Sequence, residues 1–266
     1  MTVAPRSRNH VPASVRARVE RARRALGDRR AAVHYDWLQA LSGASPERVA
    51  DVLSEVEELL PVEEGIRAEH RAGGRPHYAQ FRAPFELYAL VRLVRPIHIV
   101  ETGVSSGVSS AHLLLGVRKN GRGTVHSIDF PIPQHGERFS AGDSAVALPP
   151  GRSSGWVVPP ELRASWDLRI GPSERVLPRL VDELSTIGLF LHDSRHTYDH
   201  MMQEYRAAWP CLRPGGWLLS DDVDSTFAFL DFARAQGVRV VAHVGNGRVF
   251  GLLEKPGTTA SGSVPK

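Results

Sequence analysis

The sequence predicts an α/β protein with a doubly wound sheet of seven mostly parallel strands, a C-terminal antiparallel hairpin and an N-terminal helical extension. Three observations support this prediction. From residue 85 onward, short apolar segments alternate with helical segments, which is typical of a parallel sheet covered on both faces. A glycine-containing turn follows the first apolar segment. Acidic residues follow several others, at the edge where open α/β sheets bind ligands.

Composition limits the class of protein. The chain has 266 residues, of which 42% are hydrophobic, so it can bury a substantial core and is not disordered as a whole. It has one cysteine, Cys211, which excludes an internal disulfide and a site built of thiolates. No secretory signal and no membrane-length apolar run is apparent, so we expect a cytoplasmic protein with no membrane partner.

The positive charge is concentrated at the N-terminus. Residues 1–30 contain nine arginines and two acids, although the net charge of the whole chain is only +4. We favour a solvated helix face, but the same arm suits a nucleic acid, an anionic membrane, a partner subunit or an organellar transit peptide. Because the rest of the chain has no basic excess, we do not expect nucleic acid as the main partner.

Two helices are predicted in the N-terminal extension, which we assign to residues 1–80. The first covers residues 13–26, and the second begins with Ser45 as its cap and runs to about residue 60. Residues 61–80 are predicted to be an irregular connection. The apolar stripes of both helices need cover, either from the main domain or from a second copy in a homodimer.

The main domain is predicted over residues 81–256. A helix over 85–93 comes first, and a helix over 225–235 follows the fifth strand. Pro214-Gly215-Gly216 is predicted to end the helix that precedes that strand, and Asn246-Gly247 to form the turn of the closing hairpin. The strands are predicted at residues 97–102, 124–130, 167–170, 188–192, 217–221, 238–244 and 249–253.

Two segments depart from this alternation. Residues 131–166 contain six prolines and are too long for a simple connection, so we predict a lid over the acceptor site. Residues 257–266 are rich in Gly, Ser and Thr, and we predict a disordered tail.

The turn after the first strand contains Gly103 and Gly107 and opens a helix. Glycines let a ligand approach the backbone closely, and the start of the helix offers free N–H groups. Ser105 stands where a nicotinamide fingerprint requires glycine, so the turn does not predict dinucleotide binding. At the end of the next strand, Asp129 is placed to bind ribose hydroxyls, with a turn-capping role as the alternative.

Acids also end two later strands. Asp193 follows the fourth strand, whereas Asp221 and Asp222 follow the fifth. Three neighbouring carboxylates repel one another unless a cation intervenes, and a hard ion such as Mg²⁺ suits oxygen ligands. His196 lies three residues after Asp193 and could act as a general base. The alternative is that the later acids cap the following helix.

In correct order and spacing, these motifs resemble the class I S-adenosylmethionine (SAM)-dependent methyltransferases, which have a Rossmann-like fold. The resemblance covers about residues 85–255. It is closest to the metal-assisted, catechol-type O-methyltransferases and to a bacterial group that acts on small molecules. The fourth strand of that bacterial group ends in Asp-Gly-x-His-Thr-Tyr, and this chain has Asp193-Ser194-Arg195-His196-Thr197-Tyr198. The 28-residue gap from Asp193 to Asp221 is also similar to the catechol-type spacing.

The resemblance implies a role for each matched residue. Asp193, Asp221 and Asp222 would bind Mg²⁺ or another divalent ion, with Asp222 where catechol-type enzymes have Asn. His196, where those enzymes have Lys, would be the catalytic base together with Asp193. Asp129 would bind the ribose of SAM, and Asp193 would also border the cofactor. The remaining cofactor-binding residues would be Glu101, Gly103, Gly107 and Ser109 around the methionine part, and Ser173 and Glu174 beside the adenine.

The leading hypothesis is therefore metal-assisted O-methylation of a hydroxyl group on a small molecule. One alternative is a metal-independent methyltransferase acting on RNA or another acceptor. A second alternative is a non-catalytic module that binds the cofactor.

Overall fold

The computed structural model describes residues 43–73, 84–131, 148–245 and 248–257. Within these ranges, seven strands form one sheet in the order β3-β2-β1-β4-β5-β7-β6. The strands are β1 (His98–Thr102), β2 (Thr124–Asp129), β3 (Trp166–Ile170), β4 (Ile187–His192), β5 (Leu212–Ser220), β6 (Val240–Gly245) and β7 (Arg248–Glu254). The first five are parallel, whereas β7 runs antiparallel to both β5 and β6. The predicted fold class is confirmed.

Helices cover both faces of this sheet. They are α1 (Pro46–Ser54), α2 (Val56–Ala72), α3 (Pro84–Val94), α4 (Val108–Asn120), α5 (Ser173–Leu184), α6 (Tyr198–Ala208) and α7 (Ala228–Gln236). Short 3₁₀ helices span Pro160–Ser165 and Trp209–Cys211. One apolar core joins β1 to helices α1–α4, and a second core joins the opposite face to α5–α7. No helix in the described ranges is long and apolar enough to cross a membrane.

The irregular connection predicted after residue 60 is wrong for its first part. Helix α2 continues through Pro61 to Ala72, with Ile66 and His70 buried one turn apart on the same face. An internal proline costs about 3 kcal/mol, so this burial must outweigh the local penalty. Residues 74–80 lie outside the described ranges.

The second predicted helix packs on its own domain. Val49, Val52, Leu53 and Val56 are all buried in the core shared with α3 and the sheet. The helix predicted over 13–26 lies outside the described residues, as does the arginine-rich arm. A homodimer formed through these N-terminal segments stays a prediction.

The end of the helix before β5 was also predicted incorrectly. Helix α6 ends at Ala208, and β5 already begins at Leu212, so Pro214-Gly215-Gly216 lies inside the strand. There, Gly215 has a left-handed φ of 68° and donates its N–H to Lys255 O, while Lys255 N–H donates to Gly216 O. This pairing with the end of β7 explains how a turn-like sequence extends a strand. Residues 246–247, the predicted hairpin turn, lie outside the described ranges.

Candidate active site

The order of the strands reverses between β1 and β4, and the turn after β1 lies at this switch point. Gly103 and Gly107 have left-handed φ values of 84° and 94°. A Cβ atom at Gly103 would lie 2.0 Å from the carbonyl oxygen of Asp193, and one at Gly107 would lie 2.7 Å from Gly155 Cα. Both positions therefore require glycine, because other backbone segments lie directly against the turn.

The segment 148–158 forms a fixed wall beside this turn. Gly155 N–H donates to Ser105 O at 2.8 Å, and Val157 N–H donates to Ser106 O at 3.1 Å. Trp156 and Val158 are buried in the core. This part of the predicted lid is anchored to the turn, while residues 132–147 lie outside the described ranges. A lid formed by those residues stays a prediction.

Glu101 lies beneath the turn, fully buried. Its carboxylate accepts hydrogen bonds from Ser109 Oγ at 2.5 Å and from Ser110 Oγ and Ser127 Oγ, each at 2.6 Å. Burial raises the pKa of Glu101, and the three hydroxyl donors oppose that rise. Glu101 and Ser109, two predicted cofactor-binding residues, are thus bonded to each other and hold β1, β2 and α4 together.

Asp129 lies at the carboxyl end of β2, against the same turn. Its carboxylate accepts from Val104 N–H at 3.4 Å, from Ser105 N–H at 3.3 Å and from Ser154 Oγ at 2.5 Å. The side chain is only partly buried, so a ligand can reach it. The predicted ribose-binding acid therefore lies beside the predicted cofactor turn.

The start of α5 faces a histidine that the sequence did not draw attention to. Ser173 Oγ lies 3.3 Å from His200 Nε2, and Glu174 Oε1 lies 3.2 Å from His200 Nδ1. Arg195, in the loop after β4, lies 3.7 Å from Glu174. The segment predicted beside the adenine is thus connected to α6 and to the β4 loop.

Asp193 and His196 are brought together in that loop. His196 Nε2 lies 3.9 Å from Asp193 Oδ1, and both side chains are about one-fifth exposed. Asp193 N–H donates to Thr102 O, which fixes the start of the loop to the end of β1. The predicted acid–base pair therefore lies next to the predicted cofactor turn.

The predicted metal ligands have the right chemistry but do not converge. In the parallel pairing of β4 with β5, His192 lies opposite Ser220, so Asp193 and Asp221 follow neighbouring strand ends. Asp222 adopts a left-handed φ of 46°. Nevertheless, among the described residues no three His, Cys, Asp or Glu side chains are grouped as a metal site requires. The side chains as they stand therefore do not fit the three-carboxylate ion predicted from the sequence.

A buried network that the sequence analysis missed lies under the site. The Glu204 carboxylate of α6 is 1% exposed and lies 2.6 Å from His192 Nδ1 and 2.9 Å from His200 Nε2. Burial acts to raise the pKa of Glu204, but the imidazoles of His192 and His200 outweigh it and hold that pKa well below its usual value. The four-residue spacing of His200 and Glu204 was the only local signal of this pair.

The comparisons with known proteins agree with this geometry. Residues 100–223 match a family described as a methyltransferase domain. No curated protein sequence matches the chain. Among solved structures, the chain is similar to TomG, an O-methyltransferase of Streptomyces achromogenes involved in tomaymycin synthesis and solved with SAM, at 18% identity and a TM-score of 0.53. That match covers 74% of this chain and 89% of TomG.

A second similar structure is the O-methyltransferase of Bacillus cereus, solved in complex with SAH, at 15% identity and a TM-score of 0.50. That match covers 73% of this chain and 90% of the Bacillus cereus protein. At such low identity, these two structures support the fold alone. Taken with the family match and the sheet order, they support a methyltransferase domain of this fold over residues 100–223.

Proposed function

We propose that this protein transfers a methyl group from SAM to a hydroxyl group of a small molecule. The observation that carries this proposal is the contact between the loop of Asp193 and His196 and the glycine turn after β1. In a methyltransferase domain, this contact brings an acid–base pair to the edge of the cofactor site. Two similar structures are described as O-methyltransferases, which supports the choice of an oxygen acceptor.

The residues around the turn suit the cofactor. Ser105 Oγ is buried and, among the described residues, has no hydrogen-bond partner, so it can bond to a ligand. The partly exposed carboxylate of Asp129 would bind the ribose, with Ser173 and Glu174 near the adenine. When bound, SAM supplies an electrophilic methyl group on a positively charged sulfur, a charge that the acidic sheet edge favours.

His196 is the proposed base. Its imidazole takes the proton of the acceptor hydroxyl, which makes the oxygen nucleophilic. Asp193 lies close enough to favour the protonated imidazole that results. The loop after β4 and the glycine turn would hold the acceptor oxygen and the methyl group of SAM close together. Such positioning supplies a large share of catalysis in two-substrate reactions.

Metal assistance is the finer part of the proposal. Asp193, Asp221 and Asp222 are the residues that would hold a divalent ion, which would lower the pKa of the acceptor hydroxyl. Among the described residues these side chains are not grouped as an ion requires, so ion binding would require the site to rearrange. Excess EDTA is expected to abolish turnover while leaving SAM affinity nearly unchanged if the ion is used. Full activity in EDTA would leave His196 and Asp193 to act without an ion.

The test of the proposed function has two steps. Calorimetry should detect SAM binding to the purified protein, with and without Mg²⁺, and NAD binding without SAM binding would overturn the cofactor assignment. Transfer of labelled methyl groups should then be measured to a panel of small hydroxyl compounds and, separately, to RNA. Labelling of RNA alone would replace the small-molecule acceptor. SAM binding without transfer to any acceptor would favour the non-catalytic module.

A further inference from the structure

One buried carboxylate joins four parts of the site. Glu204 Oε2 accepts hydrogen bonds from Thr102 Oγ1 at 2.5 Å and from His192 Nδ1 at 2.6 Å. Glu204 Oε1 accepts from Ser194 Oγ at 2.9 Å and lies 2.9 Å from His200 Nε2. The four partners lie on β1, β4, the loop after β4 and α6 itself.

Each partner is adjacent to a residue of the proposed site. Thr102 precedes Gly103, His192 precedes Asp193, and Ser194 follows Asp193. His200 contacts Ser173 and Glu174, the segment proposed to lie near the adenine. Glu204 therefore contacts residues that neighbour both the proposed cofactor site and the proposed acid–base pair, but it is a member of neither set.

A second contact extends this network to His196. The rings of His192 and His196 pack edge to face, with centroids 5.3 Å apart. Because Glu204 holds His192 Nδ1, it also fixes the orientation of the ring against which His196 packs. The chain of contacts thus runs from Glu204 through His192 to the proposed base.

Burying a charge at this depth is costly unless it is paired. Here it is compensated by two imidazoles and two hydroxyls, and Glu204 in turn raises the pKa of His200, even though burial acts to lower it. If a side chain at this position served only to fill space, an apolar residue could do so with a smaller penalty in folding free energy than a buried carboxylate. The arrangement suits a residue whose position must be fixed.

We propose that Glu204 is a positioning residue that orients His196 and links cofactor binding to the order of the Asp193–His196 loop. This inference rests on the proposed methyltransferase function. It concerns a residue that touches neither substrate nor cofactor and acts through His192, Ser194 and His200.

Glu55 provides a matched control. It is less deeply buried than Glu204 but is likewise held by several donors, since Arg92 Nε and Nη2 each lie 2.8 Å from its oxygens and Tyr88 Oη lies at 2.5 Å. Arg92 also contacts Asn120, at the C-terminal end of α4. The C-terminal end of α4 is separated from the glycine turn by the length of the helix, about 18 Å at 1.5 Å per residue.

The central experiment compares Glu204→Gln with Glu55→Gln. Both variants should lower the melting temperature. Glu204→Gln should also reduce kcat about 10- to 100-fold at saturating SAM, a size typical of a disturbed supporting residue. Glu55→Gln should leave kcat within about twofold. If Glu204→Gln lowered the melting temperature but retained the wild-type kcat, Glu204 would be merely structural.

Two further variants test the contact of Glu204 with the β4 loop and its contact with the cofactor segment separately. Ser194→Ala removes one donor from the β4 loop and should lower kcat more than it weakens SAM binding. His200→Gln should weaken SAM binding more than it lowers kcat at saturation, because it releases Ser173 and Glu174. Identical effects of both variants on kcat and SAM affinity would refute this assignment of Ser194 to the catalytic side and of His200 to the cofactor side.

Imidazole NMR provides a readout that does not depend on turnover. In the wild-type protein, the Nδ1–H proton of His192 should be shifted downfield by its short bond to Glu204, and Glu204→Gln should remove that shift and alter the His196 signals. If the wild-type protein bound no SAM, the proposed function would fail while this signature could persist. If SAM were bound and the His196 signals did not change in Glu204→Gln, only the positioning role would fail.

Discussion

The contact between the β1 turn and the β4 loop can be tested by adding one methyl group at Gly103. Gly103→Ala would place a Cβ atom 2.0 Å from Asp193 O and 2.8 Å from Ser194 N, while the residue must keep a φ of 84°. Both neighbours are backbone atoms, so no flexible side chain can move aside. The substitution should push the Asp193–His196 loop away from the turn.

The cost has two parts. A non-glycine residue with left-handed φ loses about 1–2 kcal/mol. Overpacking against backbone adds about 1–3 kcal/mol. We therefore expect the free energy of unfolding to fall by about 2–5 kcal/mol, which corresponds to a drop in melting temperature of roughly 5–15 °C for a chain of this size.

Gly121→Ala is the matched control. Gly121 ends α4 with a similar φ of 68°, but no atom lies within 4 Å of the position that its Cβ would occupy. Only the conformational cost of about 1–2 kcal/mol should apply there. Chemical denaturation measures the stability of both variants, and calorimetry measures SAM affinity, which should fall for Gly103→Ala alone. Equal stability losses together with unchanged SAM affinity in both variants would refute the proposed contact.

Three other predictions follow from single side chains. Asp129→Ala should weaken SAM binding by about 1–3 kcal/mol in calorimetry, the cost of unpaired polar groups, and unchanged affinity would exclude a ribose contact. His196→Ala should slow methyl transfer by about 10²–10⁴-fold if His196 is the base, with a smaller loss at high pH. Burial acts to raise the pKa of Glu55, but Arg92 and Tyr88 outweigh it and keep it below its ordinary 4.5. Glu55 therefore stabilises the fold above pH 4.5, and that contribution should be lost as pH falls through the folded pKa but be absent in Glu55→Gln, as pH-dependent denaturation can measure.

The sheet was predictable because most of its strands contain a short apolar segment, although the start of β5 was not. Phe190 and Leu191 of β4, for example, are fully buried between two helical layers, which requires apolar residues at consecutive positions. Helix α2 was not predictable past Pro61. Its continuation depends on burial of Ile66 against the core, a tertiary contact that local preference does not report.

The positions of Asp129 and Asp193 could be predicted from topology, because the carboxyl ends of parallel strands meet at one edge of the sheet. The detailed contacts of the side chains could not. Glu101 was assigned to the cofactor from its place in a motif, yet its carboxylate is bonded to serines on α4 and β2. The Asp129 contact with Ser154 depends on how the long insertion returns to the turn, which no sequence period encodes.

The two fully buried carboxylates at this edge show why residue type alone does not determine a role. Burial dominates at Glu101 and raises its pKa, and the charge of Asp129 acts in the same direction, against the hydrogen bonds from three serine hydroxyls. Glu204 faces His192 and His200, and these imidazoles lower its pKa although burial acts in the opposite direction. The two acids thus have opposite shifts because Glu204 is paired with imidazoles, whereas Glu101 is paired with neutral hydroxyls. His200 is only four residues from Glu204, but His192 lies 12 residues from it and Ser127 lies 26 from Glu101, so the fold supplies partners that the local sequence does not indicate.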